Sequence, residues 1–254
     1  MNVYKMKFIA KNNDKSIDDL IDKVEWYKNA LINNGQILPY GETILIDGNI
    51  EYITVLPEDD SLNEKNDNIY VSKIKLEINE IFDVHIELIG ESLDFGDSCN
   101  CKNSSWYFLC AEGSDCSPII CGDCGWSVPL YKIPYTDPYE KEHTRIILWQ
   151  RSLQSMLDLF IHGLWDRFSY RQVSNPKSRL IKEGLDICHV IEKKMGVPTY
   201  YYLHNSWLKG TPLLCPSCNN EWHFECSDKD IGFRCDTCRL VAAKNKFSKT
   251  NGKS

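Results

Sequence analysis

Four cysteines near the C-terminus constrain this chain more than any other feature: CPSC at 215–218 and CDTC at 235–238, with sixteen residues between the pairs. A C-x-x-C turn presents two sulfurs to one ion, and two such turns supply the four-thiolate tetrahedron that zinc prefers, at roughly 2.3 Å per Zn–S bond. Cys215, Cys218, Cys235 and Cys238 are therefore expected to hold a zinc ribbon over residues 205–243. Pro216 helps to fix the first turn, and Trp222, Phe224 and Phe233 suit a small sheet between the pairs. A closed four-cysteine shell leaves no position for water, so this zinc is expected to be structural. Two redox pairs would need a thioredoxin-like βαβ setting, which the sequence lacks. His223 and Cys226, between the pairs, read as sheet residues.

Eleven of the twelve cysteines fall between 99 and 124 or between 215 and 238. The opening MNVYKMKFIAKNND has no apolar h-region and reads as a first strand rather than a signal peptide. No run of eighteen apolar residues could span a membrane. The expectation is a cytoplasmic chain whose thiols stay reduced, and clustered reduced thiols point to metal. CGDC at 121–124 is a third C-x-x-C turn. Its partners must come from Cys99, Cys101, Cys110 and Cys116. Cys99 and Cys101 precede a β-like run, SSWYFLC, whereas Cys110 reads as apolar and Cys116 lies in a Ser/Asp loop. The expected second zinc site is Cys99, Cys101, Cys121 and Cys124; a redox pair at 121/124 and free buried thiols are the alternatives.

The first ninety residues read as an acidic α/β domain. VYKMKFIA is β-compatible, and Ser16 can cap a helix carrying Ile17, Leu20, Ile21, Val24, Trp26, Tyr27 and Leu31 at helical spacing, stopped by Asn33-Asn34-Gly35. Two strands around 42–47 and 50–56 meet at Asp47-Gly48, where both turn positions tolerate positive φ. Tyr70, Ile74, Leu76 and Ile78 favour a helix ending near Asn79-Glu80, with strand as the alternative, and DVHIELI alternates as a strand. The order βαββαβ is the ferredoxin-like pattern. Residues 91–204 are expected to form a central Cys-rich zinc element with two helices. The first helix follows Pro138 and carries one stripe from Trp149 to Phe168; the second runs from Ser178 to Gly196. TYYYLH then reads as a strand, whose tyrosines are read as packing rather than as a base-stacking surface. The fold class is thus α+β: a ferredoxin-like sandwich, a Cys-rich zinc element with two helices, and a C-terminal zinc ribbon.

SSWYFL, CGDCGWSVPLYKIP, PTYYYL and CPSC…CDTCRL together resemble a bacterial family of Zn-ribbon-containing proteins of unknown function associated with nucleic-acid binding. The resemblance is specific from about residue 104 to 241 and supports both C-x-x-C turns as functional units. It implies no substrate and no reaction. GLWDRFSYRQ departs from the smaller, Gly-rich form of the family.

Catalytic patterns are scarce. His85-Ile86-Glu87 followed by Cys121 and Cys124 imitates the H-x-E…P-C-x-x-C signature of zinc deaminases, but Ile120 stands where the proline belongs. Phosphate-loop, dinucleotide-loop, nucleophile-elbow and H-E-x-x-H patterns are absent. Cys188 and His189 are helical neighbours about 100° apart, and His143 and His162 have no metal-spaced partner. The expectation is a non-enzymatic binding protein with no small-molecule substrate. The net charge of −7 is unevenly spread: −8 over residues 1–90, −4 over 91–134 and +5 over 135–254. Two classes of partner follow. Arg234, Arg239, Lys244, Lys246 and Lys249 on the ribbon and a basic disordered tail at 244–254 would neutralise nucleic-acid phosphates. Alternatively, the acidic N-terminal domain would cover a basic protein, as an immunity protein or antitoxin does.

Overall fold

The computed structural model describes residues 1–12, 15–111, 116–204, 214–222 and 231–243. His223, Cys226, Lys244, Lys246 and Lys249 lie outside the described residues. The chain divides into two compact units. One holds Met1–Asn100, Gly113–Pro118 and Trp126–Ile147; the other holds Cys101–Glu112, Ile119–Gly125 and Leu148–Ser254.

The first unit is built in the order β1 (Asn2–Ala10), α1 (Ile17–Asn34), β2 (Gly41–Ile46), β3 (Asn49–Leu56), α2 (Ile69–Ile81) and β4 (Phe82–Glu91). Ser16 accepts from the Asp19 amide at the start of α1, satisfying one of its orphan donors. Gly35 ends that helix at φ 77, and there is a second reason for glycine: a Cβ would come within 2.5 Å of the Leu130 Cβ. Asp47 and Gly48 both sit at positive φ, at 49° and 77°, giving the tight hairpin that joins β2 to β3. The antiparallel sheet runs β2-β3-β1-β4. Leu20, Val24, Tyr27 and Leu31 of α1 pack with Val71 and Ile78 of α2 on Met6, Phe8, Ile50, Tyr52 and Phe82. The ambiguous segment before residue 80 is therefore helical: Asn68 accepts from the amides of Tyr70 and Val71 and starts the helix, and Val71 and Ile78, seven residues apart, are buried on one helical face.

The second unit carries β5 (Tyr107–Leu109), β6 (Ile119–Cys121), α3 (Thr144–Ile161, from Leu148 on), α4 (Asp166–Ser174), α5 (Arg179–Met195), β7 (Thr199–Tyr202), β8 (Ile231–Cys235) and β9 (Leu240–Ala243). Its mixed sheet runs β6-β5-β7-β9-β8. The β5–β6 and β8–β9 pairs are antiparallel, while β5–β7 and β7–β9 are parallel. The C-terminal strands therefore extend the sheet of the Cys-rich segment. Gly184 of α5 lets that helix close on the sheet, because a Cβ there would meet the Tyr201 ring at 2.3 Å. Trp149 of α3 donates its indole N–H to the Leu180 carbonyl at 3.2 Å.

Two expectations are corrected. Ile17 and Trp26, read as part of the apolar stripe of α1, are exposed. The stripe from Trp149 to Phe168 is not a single helix face. Trp149, Leu153 and Leu157 are buried, but α3 ends at Ile161, and Leu164 and Phe168 are exposed. Gly163, at φ 70, turns the chain out of the helix before α4 begins.

Candidate metal centres

Each edge strand of the mixed sheet ends in a cysteine. Cys121 closes β6 opposite Tyr107, the first residue of β5, and Cys235 closes β8 opposite Leu240, the first residue of β9. Since β5, β7 and β9 are parallel, both C-x-x-C turns leave the same end of the sheet, one at each edge.

At the first edge, the chain folds through Gly122 and Asp123 to Cys124. The Gly122 amide donates to the Trp106 carbonyl at 2.8 Å, and the Gly125 amide donates to the Cys121 carbonyl at 2.9 Å. Gly125 adopts φ 81, which releases the chain from the turn. Gly122 has a steric role: a Cβ would lie 2.1 Å from the Trp106 ring. Asp123 accepts from the Ser105 amide at 2.6 Å and from its hydroxyl, tying the turn to the segment after Cys101. The Cys99 amide donates to the Ser127 carbonyl at 2.8 Å. The sulfurs of Cys99, Cys101, Cys121 and Cys124 all lie within 4.8 Å of one another. Cys99 and Cys121 are buried, and Cys101 is the most exposed of the four. Burial pushes the Cys121 thiol up, but the Ser104 hydroxyl and the amides of Cys124 and Asp123 outweigh it and bring it down to about 7.

The second edge repeats the arrangement. The Cys215 amide donates to the Asn220 carbonyl at 2.7 Å, and the Asn219 amide donates back to the Cys215 carbonyl at 2.9 Å. Asn219 and Arg239, each just past a C-x-x-C turn, take left-handed φ values of 58° and 52°. The Cys238 amide approaches the Cys235 sulfur at 3.4 Å. The sulfurs of Cys215, Cys218, Cys235 and Cys238 form the second group within 4.8 Å, and Cys218 and Cys235 are 3.6 Å apart. Backbone donation from Asn220 lowers the Cys218 thiol to about 7, whereas burial pushes Cys235 up to about 12 and Cys238 upward as well.

The donor sets fit zinc. A tetrahedron with Zn–S bonds of roughly 2.3 Å has S···S edges of about 3.8 Å, matching sulfurs this close. Four thiolates so near one another repel, and a divalent cation supplies the compensating charge. None of the eleven described cysteines is in a disulfide. Among the described residues, the groups able to hold a metal contain cysteine alone. His85 and Glu87 are exposed on β4, with Glu87 paired to Lys5 at 3.0 Å. Cys116 packs beside Leu38 and Val55, and Cys110 packs against the cluster around Trp106 and Tyr200. Cys188 is buried, its thiol raised by burial and set against the Tyr200 carbonyl at 3.3 Å.

Residues 101–204 match a family described as Domain of unknown function (DUF2310), and residues 211–245 match a second, Domain of unknown function (DUF8594). A Haemophilus influenzae protein, named only as uncharacterized, is 32% identical over 198 residues, covering 74% of this chain and 75% of its own. A second uncharacterized protein of the same organism is 30% identical over 188 residues, covering 71% of this chain and 91% of its own. The chain belongs to the DUF2310 family. No solved structure matches it.

The DUF2310 match begins at Cys101 and takes in CGDC, and the DUF8594 match takes in both C-terminal turns. In this DUF2310 protein two of the candidate phosphate contacts are already engaged. Arg239 donates from Nε and Nη2 to the Glu192 carboxylate at 2.8 and 2.6 Å and from Nη1 to the Asp236 carbonyl at 2.8 Å, with its guanidinium over Tyr200. Arg234 lies 3.0 Å from the Asp236 carboxylate and over the rings of Trp106 and Tyr200. No helix among the described residues is long and apolar enough to cross a membrane.

Proposed function

We propose that this chain is a non-enzymatic zinc protein of the bacterial cytoplasm that binds nucleic acid. In this reading the first unit is a ferredoxin-like sandwich and the strands around Cys215–Cys238 form a zinc ribbon. The observation that carries it is the pair of all-cysteine groups. Each would give zinc a closed shell, which stabilises a fold and offers no position for catalysis. The net +5 over residues 135–254 supplies the charge that phosphates require.

The test is fluorescence anisotropy of labelled DNA and RNA oligonucleotides against the zinc-loaded full chain between 50 and 300 mM salt. Affinity should fall linearly on a log–log plot, by roughly 0.7 to 0.9 per phosphate neutralised. Protein carrying both zinc ions and binding neither DNA nor RNA at low salt refutes the reading. One observation favours the second reading, an acidic surface for a basic protein: a groove of about 430 Å³ in the first unit is lined by Glu58, Asp59, Asp60, Glu91 and Asp97. Charge reversal at Asp59 and Asp60 would then abolish capture of a basic partner, while loss of residues 244–254 would not.

A further inference from the structure

The second unit exposes an aromatic corner that packing does not explain. Between α3 and α4 the chain reads IHGLWDRF, and Ile161, Leu164, Trp165 and Phe168 are 72%, 58%, 75% and 51% exposed. The backbone holds them out. The Gly163 amide donates to the Phe160 carbonyl at 3.1 Å and the Leu164 amide to that of Leu159 at 2.9 Å, closing α3 in a left-handed turn. Trp165 then takes φ 56, a conformation uncommon for a bulky residue, and caps α4 with no side-chain hydrogen bond. Its ring meets Phe168 edge-on, with centroids 6.5 Å apart. The buried face of α4 is made by Ser169 and Val173, so a solvent-facing Trp165–Phe168 pair is surplus to the core.

The sequence on either side of this corner is basic. Arg151, Arg167, Arg171, Lys177, Arg179 and Lys182 are all exposed, against only Asp158 and Asp166 over residues 151–182. Among the described residues none of the six has an ion-pair partner. Lysines of the first unit behave differently: Lys5, Lys23, Lys75 and Lys132 each rest on a carboxylate. Arg167 and Arg171, four residues apart, share the face of α4 opposite Ser169 and Val173, about 6 Å apart along the axis.

We propose that the α3–α4 corner binds single-stranded nucleic acid, with Trp165 and Phe168 stacking on unpaired bases and Arg167 and Arg171 neutralising the adjacent phosphates. The inference rests on the nucleic-acid reading and moves its contact surface away from Arg234 and Arg239, whose guanidinium groups are engaged within the protein. Charge complementarity selects a polyanion, and exposed flat rings select one whose bases are unstacked. A membrane surface suits the corner less well, because α4 is nine residues long and its apolar Val173 is buried, leaving no continuous apolar face.

The experiment uses the zinc-loaded full chain with a fluorescein-labelled single-stranded oligonucleotide, the matching duplex, and anionic phosphatidylserine vesicles. Trp165→Asn keeps a residue tolerant of left-handed φ while removing the ring, and Trp165→Tyr restores a stacking face. Trp165→Asn should weaken single-strand binding at least about 10-fold, with recovery in Trp165→Tyr. Arg167→Gln with Arg171→Gln should reduce the salt slope by about 1.4. Single-strand binding unchanged by both sets but lost on removing residues 244–254 overturns the corner and leaves the nucleic-acid reading standing. Preference for duplex, or binding to vesicles without binding to oligonucleotide, also overturns it. No binding to any nucleic acid with both zinc ions in place refutes the underlying reading as well.

Discussion

Arg239 forks onto Glu192 across 47 residues of sequence, with Nε on Oε2 at 2.8 Å and Nη2 on Oε1 at 2.6 Å. The pair ties the residue after the last C-x-x-C turn to the final turns of α5, while the Arg239 carbonyl accepts from the Tyr201 amide at 2.8 Å. Arg239 is thus a structural link between α5, β7 and β9. With side chains 35% and 26% exposed, a bidentate pair of this kind is worth about 1 kcal/mol. A double-mutant cycle with Arg239→Ala and Glu192→Ala, read by urea denaturation at constant zinc, should return coupling of that size. Near-zero coupling would mean that the arginine is held by its stacking on Tyr200 instead. Arg239→Glu should weaken the fold for the same reason, so any binding loss in that variant must be compared with its stability.

Gly122→Ala tests whether the central turn depends on close packing. The added Cβ would lie 2.1 Å from the Trp106 ring, and that ring packs edge-on against Tyr200 at 5.6 Å, so it cannot swing aside freely. The variant should lose the central metal ion and cost about 2 kcal/mol or more, as overpacking does. The C-terminal ion should remain. Native mass spectrometry reads both ions; a variant retaining two would show that the turn can relax around Trp106.

Local chemistry was legible in the sequence where it determines local geometry. Ser16 and Ser178 cap α1 and α5, Gly35 and Gly196 end them in left-handed turns, and Asp47-Gly48 makes the hairpin. Cysteine spacing also pointed to the two sulfur groups, because C-x-x-C turns are local objects. Long-range pairings were not legible. LVAA carries no alternation to announce β9, and its parallel pairing to β7 depends on a partner almost forty residues earlier. The break between α3 and α4 was hidden because Leu164 and Phe168 continue the spacing of three and four, while Gly163 overrides it. Arg239 looked like a tail cation because Glu192 is distant in sequence.

Metal content separates the two sulfur groups. The intact chain should carry two zinc ions. Cys215→Ser should lose one and unfold the strands around it, since metal-binding energy there is folding energy. Cys121→Ser should lose the other and leave the C-terminal ion in place. Cys110→Ser and Cys116→Ser should keep both, because each thiol packs against apolar neighbours outside the sulfur groups. If Cys116→Ser releases an ion, the central shell has been assigned to the wrong sulfurs.

His143 should make the first unit sensitive to acid. The residue is buried, and among the described residues neither ring nitrogen has a hydrogen-bond partner; the Tyr135 ring has its centroid 4.8 Å away. Its backbone is well held, with the amide donating to the Asn33 carbonyl at 2.9 Å. Burial lowers the imidazole from 6.5 to about 3, so the folded chain keeps it neutral. The unfolded chain takes up a proton below about 6.5 and the folded chain does not until near 3. Stability is therefore unaffected by this group above that window and falls within it, by up to about 1.4 kcal/mol per pH unit. His143→Leu removes the titration. Between pH 7 and pH 5 the wild type should lose about 2 kcal/mol more than the variant in urea denaturation. Zinc loss in acid affects both proteins alike and cancels in the comparison. At pH 7 the variant should be about 1 kcal/mol the more stable, because it no longer buries two unpaired nitrogens. Parallel pH profiles for the two proteins would show that water reaches the imidazole and that its burial is not what governs its charge.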